Sequence, residues 1–164
     1  MFRKKETDHD HLLSVLSSCP VFEGLSNHEL KEILKISHMR DYSADEKIFG
    51  EGTIGLCFYI IVKGNVVITG EKESSPVTLK EFGAGSYFSE VHLFSEIYHT
   101  VNCIAKEVTR AIVLAKPDFE YLVKIKPKLG NKLLLRFLDF FGEKLDELYK
   151  ENRELKQNQH VLSA

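Results

Sequence analysis

Tyr59-Ile-Ile-Val-Lys-Gly-Asn-Val-Val-Ile68 is two short apolar runs broken by Gly64-Asn65. Each run is too short for a helix and rich in β-branched residues, so each reads as a strand. Gly and Asn both tolerate positive φ, and their placement predicts a tight hairpin. The same pattern repeats on either side. Tyr42, Ile48 and Phe49, Phe58 to Val62, Val66 to Thr69, Val77 to Phe82, Val101 to Ala105 and Thr109 to Ala115 read as short strands. Gly50, Gly52, Gly55, Gly64, Gly70, Gly83 and Gly85 punctuate them, and polar Glu71 to Pro76 reads as the tip of another hairpin. Many short strands with a glycine at nearly every reversal predict a β-roll, the double-stranded jelly-roll class.

Helical signals flank this block. Residues 1–10 read as a loose charged tail, in which Asp8-His-Asp-His11 suits a solvated segment better than a metal site. His11 to Ser18 reads as a short helix stopped by Cys19-Pro20. Ser26-Asn-His-Glu29 is a capping-box pattern, followed by Leu30, Ile33 and Leu34 at helical spacing, so a second helix is expected from about Asn27 to Ser37. After the strands, Lys116-Pro-Asp118 opens a helix that ends before Pro127, and a last helix runs from Pro127 past Lys156. The chain therefore divides into a tail (1–10), a β-roll domain (11–126) and a C-terminal helix (127–164). The fold class is mainly β with flanking helices.

The last helix carries a seam. Leu134, Leu138, Phe141, Leu145, Leu148, Asn152 and Leu155 alternate at steps of four and three, with Gln159 and Leu162 trailing. That is a heptad repeat, and a single Asn at an a-type position favours a parallel, in-register pair. A parallel homodimer through this helix is expected.

Composition removes several classes of function. A net charge of −2 gives no general attraction to nucleic acid or membrane. Cys19, Cys57 and Cys103 are odd in number and far apart, with neither metal spacing nor a disulfide framework. Residues 1–10 lack a signal-peptide pattern, and no run is apolar and long enough to span a bilayer. A cytoplasmic protein is expected.

The candidate site is Gly85-Ser-Tyr-Phe-Ser-Glu-Val-His-Leu-Phe-Ser-Glu-Ile-Tyr-His-Thr-Val-Asn-Cys-Ile-Ala105. A turn, one helical turn and a loop between strands can aim several backbone N–H groups at one small anion. Glu90 is its carboxylate, and His99 and Thr100 stand in its polar exit. A metal enzyme on a β-roll, using Glu90, His92, His38 or His99, is disfavoured: the paired His-x-His with a trailing Glu is missing.

Taken together, Pro20-Val-Phe-Glu-Gly-Leu-Ser26, Ile48-Phe-Gly-Glu-Gly52, Phe58-Tyr-Ile-Ile-Val-Lys-Gly64 and Gly85-Ser-Tyr-Phe-Ser-Glu90 resemble the cyclic nucleotide-binding domain family. That family includes the catabolite activator proteins and the regulatory subunits of cAMP-dependent kinase. The resemblance covers about residues 12–150. Its phosphate-binding cassette reads roughly Phe-Gly-Glu-(Leu/Ile)-Ala-Leu, a few residues, then Arg-(Ala/Ser)-Ala-Thr. The matching run here is Phe88-Ser-Glu-Val-His-Leu93, then Phe94 to Tyr98, then His99-Thr-Val-Asn102. The resemblance implies that Glu90 takes a ribose hydroxyl and that Thr100 helps hold the phosphate. The amides near Val91 and His92 complete the cradle. It also implies that His99 stands where an arginine grips the phosphate, and it places Lys144 near the purine.

Three departures matter. Ser89 replaces a glycine and suits the site only if positive φ is not needed there. His92 replaces an alanine and must point outward or narrow the pocket. His99 replaces the arginine, and a neutral imidazole in place of a charged bidentate grip costs roughly 2–4 kcal/mol. The resemblance implies a non-enzymatic regulatory domain that senses cAMP or cGMP and signals through its C-terminal helix. The alternative is a degenerate member that has lost the nucleotide and serves as a dimerisation or protein-interaction module. No cofactor is expected beyond such a nucleotide. With the chain ending at Ala164, the helix-turn-helix that catabolite activators carry is not expected here.

Overall fold

The computed structural model describes residues 2–72 and 75–162. Among these residues, eight strands form two antiparallel four-stranded sheets. β1 (His38–Tyr42), β3 (Cys57–Lys63), β6 (Tyr87–Phe88) and β8 (Thr109–Ala115) form one, in the order β1-β8-β3-β6. β2 (Lys47–Phe49), β4 (Asn65–Lys72), β5 (Ser75–Gly83) and β7 (Asn102–Ala105) form the other, in the order β2-β7-β4-β5. Four α-helices flank them: α1 (Phe2–Ser17), α2 (Asn27–Lys35), α3 (Lys116–Ile125) and α4 (Pro127–Leu162).

β3 explains why the opening run is apolar throughout. Its alternate residues serve two cores, so neither face can be polar. Phe58, Ile60 and Val62 join a core built with the helices, which also holds Leu16, Phe22, Leu30, Ile33, Phe119, Leu133 and Phe137. Tyr59 and Ile61 face the roll interior with Val66, Phe88, Cys103, Ala111 and Val113.

The expected hairpin at Gly64-Asn65 does not form. β3 pairs with β6 and β8, whereas β4 pairs with β5 and β7. Gly64 is instead the corner where the chain passes from one sheet to the other. Its φ is +93°, and a Cβ there would lie 2.5 Å from the Thr109 hydroxyl and 2.7 Å from the Val108 carbonyl. The second hairpin does form: β4 pairs with β5 as far as Lys72 opposite Ser75.

At the N-terminus, α1 begins at Phe2, so the segment read as a tail through residue 10 is helical. A helix start has no side-chain signal there, because the charged run carries no cap. A 3₁₀ turn, Pro20–Phe22, follows and buries Val21 and Phe22. The capping box at α2 is complete: the Glu29 N–H donates to Ser26 Oγ (3.3 Å) and the Ser26 N–H to Glu29 Oε2 (2.7 Å). Glu29 pairs with Lys132 of α4 at 2.8 Å and Glu32 with Lys126 between α3 and α4, which ties α2 to the start of the last helix.

α4 is continuous, and its seam divides. Leu134 and Phe141 pack on the chain's own core. Leu138, Leu145, Leu148 and Leu155 are exposed by 50–67%, and Asn152 is exposed as well. The trailing positions Gln159 and Leu162 lie outside the described side chains. Among the described residues, no helix is long and apolar enough to cross a membrane.

Candidate ligand cavity and its altered cassette

The cassette is held from both ends. The Ile61 N–H donates to the Ser86 carbonyl and the Gly85 N–H to the Ile61 carbonyl, both at 2.8 Å, which pins the entering turn to β3. At the exit, the Gly52 N–H donates to the His99 carbonyl and the His99 N–H to the Thr53 carbonyl, also at 2.8 Å. Between them a 3₁₀ turn, Glu90–Leu93, starts from Ser89 at φ +68°. That is the left-handed conformation a glycine adopts freely and a serine adopts at a cost of about 1 kcal/mol. The condition set by the sequence comparison is not met, and Ser89 is strained. A hydrogen bond between Ser89 Oγ and His92 Nδ1 (2.8 Å) offsets part of that cost.

His92 points inward and narrows the pocket. It is buried, and a Cβ at residue 55 would lie 1.8 Å from its Cδ2, so only Gly55 leaves room for the ring. Its Nε2 has no hydrogen-bond partner among the described residues. The His92 ring lies 4.2 Å from that of His99. His99 in turn stacks on Phe49, with centroids 3.7 Å apart and planes 7° from parallel. His99 is only 7% exposed. Burial pushes its pKa down to about 4, and the neighbouring His92 adds to the effect. Burial lowers the pKa of His92 too. The position expected to hold a permanent cation therefore carries a neutral, stacked imidazole at neutral pH.

Two adjoining cavities open here. The smaller, about 260 Å³, is lined by Phe49, Ile68, Lys80, Phe82, Phe88, Ser89, His92, His99, Thr100 and Val101. The larger, about 770 Å³, lies between β5, the cassette turn and α4. Glu90 faces it, as do Lys144, Glu147 and Leu148 of α4. Burial raises the Glu90 pKa, while its own backbone N–H, Lys144 and Lys80 pull it back down. Lys144 pairs with Glu147 at 2.7 Å.

Of the residues singled out in the sequence, Ser89, His92, His99 and Thr100 meet at the smaller cavity, and Ser89, Glu90 and Lys144 at the larger. The Val91 side chain is exposed and lines neither. Phe49, Gly55, Lys80, Phe82 and Phe88 were not singled out. Gly55 carries no local signal, because only the fold brings residue 55 against residue 92.

The His pair gives a pH dependence of stability. The folded pKa of His99 is depressed from 6.5 to about 4, so the unfolded chain binds more protons across that window. Stability therefore rises with pH there and is lost as pH falls through it. The thermal midpoint is expected to drop on acidification over this range, and His99→Phe, which keeps a ring on Phe49, should flatten the drop. An unchanged slope in that variant would assign the acid sensitivity to other groups.

Fold and cavity together define a β-roll domain with a cavity lined on one side by a long helix. The chain belongs to the cyclic nucleotide-binding domain family, whose profile it matches over residues 39–126, more than half its length. It is 27% identical over 122 residues to the cyclic AMP receptor protein of Thermus thermophilus, covering 72% of this chain and 55% of that one. It is 30% identical over 118 residues to the cGMP-dependent protein kinase isozyme 1 of Drosophila melanogaster, covering 70% of this chain and 15% of the kinase. Among solved structures, the N-terminal domain of a transcriptional regulator from Streptomyces coelicolor superposes with a TM-score of 0.75 at 20% identity, over 80% of this chain and 95% of that one. The chain thus spans about half of the first relative and a small part of the second.

Proposed function

We propose that this is a non-enzymatic regulatory domain that binds cAMP or cGMP and signals through α4. The observation that carries the reading is Glu90, a half-buried carboxylate facing a cavity that Lys144 and Leu148 of α4 also line. A nucleotide with its ribose on Glu90 would touch the cassette and the helix at once, so binding would shift the position of α4. A route for that shift exists in the packing. Leu93 and Phe94 end the cassette turn, and the Phe94 ring lies 4.8 Å from Phe137 and 5.6 Å from Phe141 on α4. Isothermal calorimetry with cAMP and cGMP tests the reading. Burial holds His99 neutral in the empty pocket at both about pH 6 and about pH 7.5, so any strengthening at the lower pH would report proton uptake by the imidazole on binding. Absence of heat at about millimolar nucleotide would overturn it.

One observation favours a second reading, a degenerate fold that serves as a dimerisation or protein-interaction module. It is the same neutral His99, buried against Phe49 where a cation would hold phosphate. That reading keeps α4 as the working element.

Under either reading the exposed leucines of α4 support a parallel homodimer. Leu138, Leu145, Leu148 and Leu155 lie on one seam with Asn152, and a single helix has no way to bury them. Leu148→Lys is expected to give a monomer by light scattering. A dimer that survives it would refute the heptad pairing. Three unpaired cysteines fit a reducing compartment such as the cytoplasm.

A further inference from the structure

The cavity has an anion-binding problem that His99 does not solve. A cyclic phosphodiester, like any organic anion entering a largely aromatic pocket, loses hydration and needs a cation or several donors in return. Two lysines line the cavities. Lys144 is already engaged with Glu147 at 2.7 Å. Lys80, on β5, has no ion-pair partner among the described residues. It lies over the Phe82 ring, with Nζ 4.9 Å from the centroid. Lys80 is also one of four residues that line both cavities, with Phe82, Phe88 and Ser89. It pairs across the sheet with Ile68, a wall of the smaller cavity, and Phe82 follows it on the same face of β5.

We propose that Lys80, not His99, is the cation that receives the charge of a planar, singly negative ligand in this pocket, with Phe82 and Phe88 beside its ring system. Position 99 then contributes shape, through its stack on Phe49, and no charge. The assignment rests on reading these cavities as the ligand site, and it deepens that reading by naming the anchor. It differs from the arrangement implied by the cassette pattern, in which the anchor lies in the cassette itself. Here the cation comes from β5, outside the cassette and on the edge of the sheet that β7 joins, so ligand charge would tie β5 to the cassette turn.

The test compares two probes with nearly the same rings: anilinonaphthalene sulfonate, an aromatic monoanion, and neutral N-phenylnaphthylamine. Fluorescence titration is expected to show Lys80→Gln weakening the sulfonate by about tenfold or more while changing the neutral amine by less than about twofold. Lys80→Arg should restore sulfonate binding. Equal sulfonate affinity in the native chain and Lys80→Gln, or no sulfonate binding by the native chain, would overturn the assignment. Competition by cAMP or cGMP reports separately on the proposed function. A sulfonate that depends on Lys80 but is not displaced by either nucleotide upholds the anchor and sinks the nucleotide.

Discussion

Phe137→Ala is expected to lower the unfolding free energy by about 3–5 kcal/mol. Phe137 is only 1% exposed, and it is the point at which four parts of the chain meet α4. Its ring lies 6.4 Å from Phe22 in the first 3₁₀ turn, 6.2 Å from Phe58 in β3, 4.8 Å from Phe94 at the cassette exit and 5.8 Å from Phe119 in α3. Truncation removes a large apolar surface and leaves a hole between elements that cannot all close on it. Urea unfolding followed by circular dichroism would show the midpoint falling with the slope unchanged. A loss below about 1 kcal/mol would mean that the helices repack around the gap and that Phe137 is not the hub its contacts suggest. The same residue sits between the cassette and the α4 seam. A milder Phe137→Leu, which keeps the volume more nearly filled, is therefore the variant in which to ask whether ligand and helix remain coupled.

Local chemistry was legible and pairing was not. Ser26 and Glu29 cap α2 as their spacing requires, and Pro117 and Asp118 open α3. In each case the interacting atoms are within one helical turn of each other. The Gly64-Asn65 pair shows the limit. A glycine with positive φ suits a hairpin and a corner between sheets equally well, and only the partners of β3 and β4 decide which forms. Those partners lie far away in sequence. β6, two residues long, has no periodicity to detect.

The cassette follows the same rule. That Glu90 lines a cavity was readable, because it lies in the motif's own turn. The meaning of its altered neighbours was not, because it depends on residues outside the motif. Ser89 holds a strained backbone and bonds His92, His92 fits only against Gly55, and His92 in turn lies against the His99 ring that stacks on Phe49. What looked like three separate departures is one packed set. That coupling argues against reverting any one of them as an isolated repair of the scaffold, with one exception at which charge outweighs packing.

That exception is His99→Arg, expected to tighten cAMP or cGMP binding by about 30- to 1,000-fold relative to the native chain. The backbone at 99 is clamped by two 2.8 Å hydrogen bonds, to Gly52 and Thr53, so a new side chain starts from a fixed point beside the smaller cavity. A guanidinium can lie on Phe49 as the imidazole does, because Arg stacks on aromatic faces. It would add a permanent charge and a bidentate grip where neutral His99 offers neither. With Lys80 lining the same cavity, the ligand anion would then meet two cations. The empty protein should suffer, since an unpaired guanidinium replaces a buried neutral ring and costs free energy until an anion arrives. Two measurements therefore move in opposite directions: the thermal midpoint of the free variant falls below that of the native chain, and its rise on adding nucleotide is larger. Calorimetry gives the affinity itself. If the variant is destabilised and still binds no more tightly, position 99 does not face the ligand's charge, and the cassette has been rebuilt for a different occupant.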